Sequence, residues 1–172
     1  MASQQNSLPP ELAEVNRQKF DFAGGEGIDF EPYSEFMSSE ETRDWFRAWT
    51  GNAQVSGGEF RVFGQDGTGG YAALWINKPQ AGLLEQPVVF LGSEGETGVV
   101  SADFTDFLHL LASGIGPYEA VANPELPTPQ NQVFLKLASA RDASRQKTRH
   151  EVLARAALEF PGFRAWIDSL CR

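Results

Sequence analysis

The sequence is poor in the side chains that most enzymes use for chemistry. It has one cysteine, Cys171, and two histidines, His109 and His150, among its 172 residues. A single cysteine cannot form an internal disulfide bond, which fits a reducing cytoplasm as the expected location. The histidines lie far apart and belong to no H-x-x-x-H or C-x-x-C pattern. We therefore expect neither a metal ion nor another cofactor.

Long apolar runs and catalytic loops are missing as well. No stretch reaches the roughly 18 apolar residues that span a bilayer, and the N-terminus lacks the basic and apolar regions of a secretory signal. The glycine clusters are not followed by the lysine of a phosphate-binding loop. Gly92-Ser93-Glu94-Gly95 does not have the spacing of a nucleophile elbow. These absences predict no membrane contact and no catalytic residues.

Basic residues are scarce over most of the chain. Residues 1–135 carry 6 Lys and Arg against 19 Asp and Glu, a net charge of −13, whereas residues 136–172 carry 8 against 4, a net charge of +4. Nucleic acids and anionic membranes bind clustered Lys and Arg, so the acidic part argues against both as direct partners. It favours a partner protein with a basic surface. Acidity that only keeps the protein soluble is the alternative.

Two helices have clear boundaries in the sequence. Ser38 or Ser39 can cap the first helix, and the glutamate that follows Ser38 by three residues completes a capping box. Gly51 is expected to end that helix. Asp103 can cap the second helix, whose first turn is acidic and which is expected to stop at Gly114.

Four short strands are predicted between these two helices. Residues 60–63 alternate apolar and polar side chains, and residues 71–76 are rich in aromatic and branched ones. The glycine-rich residues 65–70 join them as a hairpin with an enlarged loop. Residues 87–91 form a continuous apolar run, which is typical of a central strand buried on both faces. Residues 98–100 follow after a turn and are the fourth predicted strand.

The chain divides into three parts by composition. Residues 1–22 are expected to be a tail with a short helix, residues 23–122 an α+β domain, and residues 123–172 a proline-rich linker followed by C-terminal helices. The basic helices would pack on the acidic domain or reach a second partner. An apolar stripe in the last helix would suit a homodimer contact; it consists of Phe163, Trp166, Ile167 and Leu170.

Taken together, these segments resemble the SUKH superfamily, whose founding eukaryotic member is a yeast cell-wall assembly regulator. The resemblance lies in the order of FGQDGTGG at 63–70, ALW at 73–75, PVVFLGSEGE at 87–96 and the helix at 103–114. It covers roughly residues 36–118. It implies an α+β fold with a mostly antiparallel sheet of about four to six strands and helices packed around it. The helix that contains Trp45 and Trp49 matches the family's entry helix only loosely, and the tail from Pro124 onward lies outside the pattern.

The resemblance also implies a non-enzymatic role. Bacterial members of the superfamily look like immunity proteins, which bind and neutralise a toxin that is often a nuclease. A nuclease carries a basic surface for its substrate, and an acidic protein can cover that surface. The first hypothesis is therefore a cytoplasmic immunity protein that binds a cognate toxin. The alternative is a regulatory scaffold of the cell-wall assembly regulator type, without a toxin partner.

The candidate partner-binding residues are exposed acids near the strand loops. We expect Asp66, Glu94 and Glu96 to carry recognition, with Glu59 as a further contact. A third hypothesis treats Glu94 and Glu96 as the carboxylate pair of a glycoside hydrolase, because two glutamates in one turn can lie the required ~5–10 Å apart. A solvated hairpin turn explains the same pair.

Overall fold

A five-stranded antiparallel sheet lies at the centre of the fold, in a computed structural model that describes residues 6–172. Each strand pairs with the next one along the chain, so the sheet is a simple meander. The predicted α+β class is confirmed, and the strand number falls within the predicted range. The strands are β1 Glu31–Pro32, β2 Phe60–Gln65, β3 Tyr71–Trp75, β4 Val88–Leu91 and β5 Thr97–Ser101.

Seven helices surround the sheet within the described residues. They are α1 Pro10–Asn16, α2 Ser39–Thr50, α3 Phe104–Ala112, α4 Pro117–Ala122, α5 Gln132–Arg141, α6 Arg149–Glu159 and α7 Phe163–Leu170. The predicted capping box of α2 is confirmed, because the Ser38 hydroxyl accepts from the Glu41 amide and the Glu41 carboxylate accepts from the Ser38 amide. Gly51 ends α2 in the left-handed region, at φ 64°. Asp103 caps α3 as predicted.

Helices cover both faces of the sheet. Alternating residues of β4 enter different cores: Val88 and Phe90 face α1, α3, α4 and α5, whereas Val89 and Leu91 face α2 and α7. A strand with two buried faces must be apolar at every position, which is why β4 shows no polar alternation. The prediction of a central strand buried on both sides is therefore confirmed.

The apolar stripe of α7 belongs to the second core. Phe163 and Ile167 are buried, and Trp166 stacks on Trp75 with ring centroids 5.2 Å apart. The expectation that this stripe is free for self-association is wrong, because the sheet face needs an apolar cover and α7 supplies it. Trp75 lies in the same core. A homodimer through another surface stays a prediction.

The basic C-terminal helices dock on the acidic domain through one buried carboxylate. The side chain of Asp106 on α3 is 0% exposed, and its two oxygens bind Lys147 Nζ and Arg155 Nη1. Arg155 also contacts Asp103 at 2.9 Å. Nearby His109 is buried as well. Burial, followed by the charge of Lys147, lowers the pKa of His109.

The two outer strands of the sheet are protected in different ways. β1 is only two residues long and contains Pro32, which cannot donate to a further strand. β5 pairs with β4 alone, and α6 lies against it. Val152 of α6 packs in one core, while Phe160, directly after α6, packs in the other. The chain thus passes from one face of the sheet to the other across the β5 side.

Candidate functional site

The turn between β2 and β3 is built around Asp66. Its carboxylate accepts hydrogen bonds from the Thr68 amide at 3.0 Å, the Gly70 amide at 2.7 Å and the Thr68 hydroxyl. Asp66 is only 2% exposed. The prediction that Asp66 is an exposed partner contact is therefore wrong. The enlarged loop leaves these amides without a strand partner, and the carboxylate turns inward to satisfy them.

Close packing joins this turn to the turn between β4 and β5. A Cβ atom on Gly70 would lie 2.6 Å from the Phe90 ring and 2.9 Å from the Cα of Gly92, so only glycine fits. The Ser93 hydroxyl donates to Thr68 Oγ1 at 3.0 Å. Both turns therefore lie at the same end of the sheet, and they hold each other in place.

The β4–β5 turn carries Glu94 and Glu96. Its geometry is fixed by a hydrogen bond from the Gly92 amide to the Glu96 carbonyl and by one from the Trp49 indole to the Gly92 carbonyl at 2.8 Å. Glu94 is exposed, while Glu96 is partly buried and its carboxylate accepts from the Glu94 amide at 3.3 Å. The pair is thus explained by the turn, and these hydrogen bonds give the hydrolase interpretation no support.

Two further acids, which sequence reasoning missed, lie beside these turns. The Asp29 carboxylate accepts from the Gly67 amide at 2.9 Å, and the Asp29 amide donates to buried Glu119 at 2.9 Å. Burial raises the pKa of Glu119, although the amides of Asp29 and Gly116 partly counter this. The capping-box spacing from Gly116 to Glu119 was a signal for the local bond. No sequence signal indicated the contacts with residues 29 and 67.

We call this group of six carboxylates, of which Asp66 and Glu119 are buried, the acidic end: Asp29, Glu31, Asp66, Glu94, Glu96 and Glu119. The pKa of a neighbouring tyrosine, Tyr118, responds to four of these six acids. The pKa of Tyr118 is raised, first by burial and then by the charges of Glu96, Asp66, Glu119 and Asp29. Glu31 joins the group because it pairs with Gln65 across the β1–β2 register and accepts from its side chain.

The acidic end is not neutralised by the rest of the chain. Among residues 6–172, none of its six carboxylates forms a salt bridge. Several cations of the C-terminal segment have intramolecular partners instead, including Lys147, just before α6, and Arg155 on α6, which both bind Asp106. Opposite charge within the molecule therefore holds the C-terminal helices in place, while the negative potential at the acidic end stays available to an external partner.

Glu59 does not share this surface. It is exposed as expected, but it immediately precedes β2, and its carbonyl accepts from Ile76 just beyond the end of β3. The turn that contains Asp66 follows the other end of β2. A six-residue strand spans ~20 Å. The four predicted residues therefore do not form one contact, and Glu59 lies at the opposite end of the sheet.

Among the described residues, no group of three or more His, Cys, Asp or Glu side chains could hold a metal ion. None of the helices in that region has both the length and the apolar character needed to cross a membrane. Three comparisons, with protein-family models, with curated proteins and with solved structures, found no match.

Proposed function

We propose that this protein is a non-enzymatic immunity protein that binds and neutralises a cognate toxin through its acidic end. The observation that carries the proposal is the set of carboxylates at one end of the sheet that have no cationic partner among the described residues. The resemblance to the SUKH superfamily, which rests on sequence pattern, supports the same role.

Rigid support makes these acids suitable for recognition. Glu94 lies in a turn that is tied to α2 by Trp49 and to the neighbouring turn by Ser93. Its position is therefore set before a partner arrives, which reduces the entropy lost on binding. The buried carboxylate of Asp66 serves the surface by shaping the loop rather than by touching the partner.

The charge of the acidic end selects the class of partner. A nuclease or other toxin that acts on a polyanion has clustered Lys and Arg at its active site. An acidic surface attracts such a cluster, accelerates the encounter and competes with the substrate for the same contacts. Masking of that cluster would neutralise the toxin without any chemical step.

A matched pair of variants tests the choice of surface. Glu94→Lys and Glu59→Lys each shift the net charge from −9 to −7, because each exchanges a negative for a positive charge. Both glutamates are exposed, and neither side chain has a hydrogen bond or ion pair within residues 6–172. They differ in the end of the sheet that they occupy.

The binding partner would first be captured from cell lysate at low salt and identified by mass spectrometry, and its association rate would then be measured with each variant. A charge ~8 Å away in water contributes ~0.5 kcal/mol, so reversal should change the rate about fivefold at low salt. We expect Glu94→Lys to associate with the partner about fivefold more slowly than wild type at low salt. This difference should disappear at about 0.5 M salt, where screening is strong. Glu59→Lys should stay within about twofold of wild type.

Two results would count against the proposal. Equal effects of the two variants would mean that the acidic end is not the contact. Capture of several unrelated proteins, none of which kills cells that lack this chain, would favour the regulatory scaffold. A toxin retained at one-to-one stoichiometry, with cells protected on co-expression, would support the immunity role.

A further inference from the structure

A groove with apolar walls opens beside the acidic end. It has a volume of about 500 Å³ and is bordered by the turn that contains Gly67. Its apolar lining is Phe20, Phe22, Ile28 and Phe30, and its acidic lining is Asp29 and Glu31. We call it the Phe22 groove. Because Asp29 and Glu31 also belong to the acidic end, the two features are continuous.

The floor of the Phe22 groove is fixed, whereas one wall is exposed. Ile28 and Phe30 are buried, and Phe20 packs edge-on against Phe30 with ring centroids 4.9 Å apart. Phe22, in contrast, is 52% exposed. An exposed aromatic ring beside an apolar groove is typical of the anchor region of a protein interface.

The loop that carries Phe22 is well bonded rather than loose. The Phe22 carbonyl accepts from the amides of Gly25 at 2.9 Å and Gly27 at 3.0 Å, and the Asp21 carbonyl accepts from Ile28 at 2.8 Å. The chain turns through Ala23, at φ 47°, which is a left-handed conformation that alanine rarely adopts. The exposed position of Phe22 is therefore imposed by the backbone.

The charges around the groove define what would fill it. Asp29 and Glu31 form no salt bridge among the described residues, so an anionic ligand or a second copy of this acidic end would be repelled. We propose that the Phe22 groove takes a large apolar side chain that is flanked by Lys or Arg on a partner protein. This inference rests on the proposed function, and it adds an apolar anchor to the electrostatic contact.

Peptide probes separate the apolar anchor from the charge. Isotope-labelled protein would be titrated with a peptide of one phenylalanine between two pairs of lysines, with the same peptide carrying alanine instead, and with one carrying glutamates instead of lysines. We expect the first peptide to shift the NMR signals of Ile28, Gly67 and Glu94. The alanine peptide should bind at least about fivefold more weakly, since it lacks the buried ring, and the glutamate peptide should not bind.

A matched pair of variants places the anchor. Phe22→Ser should weaken binding of the phenylalanine peptide about fivefold and leave the affinity for the alanine peptide unchanged. Leu158→Ser is the control, because Leu158 on α6 is 81% exposed and its change removes a similar surface apolar group elsewhere. Both positions are exposed, so we expect both variants to fold, and their NMR spectra verify this.

The outcomes distinguish the groove from the proposed function. Equal affinities of the phenylalanine and alanine peptides, with signal changes confined to the β4–β5 turn, would overturn the groove and leave the acidic end intact. Binding in the groove that is insensitive to Glu94→Lys would support the groove and weaken the proposed contact surface. Failure of every peptide to shift the signals of Ile28 and Gly67 would overturn the groove as well.

Discussion

Replacement of Asp106 by asparagine should destabilise the fold strongly, although the two side chains have nearly the same shape. The carboxylate is inaccessible to solvent and binds Lys147 and Arg155 with its two oxygens. Asparagine keeps one oxygen, but it places an amide NH₂ against one of the cations. Two positive charges then lose their only buried counter-charge.

The accessibility of the partners sets the size of the effect. Removal of one partner from a buried ion pair costs about 3–5 kcal/mol. Because the side chains of Lys147 and Arg155 are 27% and 37% exposed, they can recover some hydration. We therefore expect a loss near the lower limit, about 3 kcal/mol of unfolding free energy, which corresponds to a fall in Tm of ~6–12 °C for a chain of this size.

Asp103→Asn is the matched control. Asp103 also contacts Arg155, but its side chain is 24% exposed, and asparagine is as good an N-cap for α3 as aspartate. This variant should lose at most about 1 kcal/mol. Urea denaturation, monitored by tryptophan fluorescence, measures the unfolding free energy of both variants. Equal losses in the two variants would refute the idea that the buried carboxylate holds the C-terminal helices in place.

A combined variant tests the same reasoning from the opposite direction. Asp106→Leu together with Lys147→Met and Arg155→Met removes the buried carboxylate and both of its cations, and the two other partners of Arg155, Asp103 and Glu159, are 24% and 35% exposed and can stay hydrated. Apolar replacement of a whole buried ion cluster is often neutral or stabilising. The triple variant should therefore be more stable than Asp106→Asn alone, as measured by the urea midpoint.

Three further predictions concern the acidic end. Burial raises the pKa of Glu119 above 4.5, so the folded state holds this proton more tightly than the unfolded state. The stability advantage of wild type over Glu119→Gln should therefore shrink as the pH rises above about 4.5 and through the raised pKa. Urea denaturation of both proteins between about pH 4 and 7 would show this. Glu96→Gln should lower the pKa of Tyr118, measured by NMR titration of the tyrosine ring, and an unchanged value would contradict their proximity. Gly70→Ala should cost about 1–3 kcal/mol by thermal denaturation, since its Cβ would collide with Phe90.

The parts of the fold that depend on neighbouring residues could be predicted from the sequence. The capping box at Ser38 and the apolar run of β4 are local patterns, and each appears where expected. The role of Asp106 could not be predicted in this way. One of its cationic partners, Lys147, lies 41 residues further along the chain. In the sequence Asp106 is an acid in the first turn of a helix, a position that is equally compatible with exposure to solvent.

Only those parts of the candidate site that depend on neighbouring residues could be predicted. The position of Glu94 in an exposed turn follows from the local glycines, whereas the inward turn of Asp66 depends on which amides the loop leaves unpaired. The separation of Glu59 from Glu94 follows from strand direction. In an antiparallel meander, the start of β2 and the turn after β2 must lie at opposite ends, and this geometric rule was available from the predicted strands.

The contact between α6 and β5 has a consequence during synthesis of the chain. The sheet is complete once Ser101 has emerged from the ribosome, but α6 does not begin until Arg149. At ~5–20 residues per second, the open side of β5 waits roughly 2–10 s for its cover. Throughout that interval it offers unpaired backbone groups to other nascent chains. A chain that stopped before α6 would keep this template open, and we expect it to aggregate rather than persist as a smaller domain.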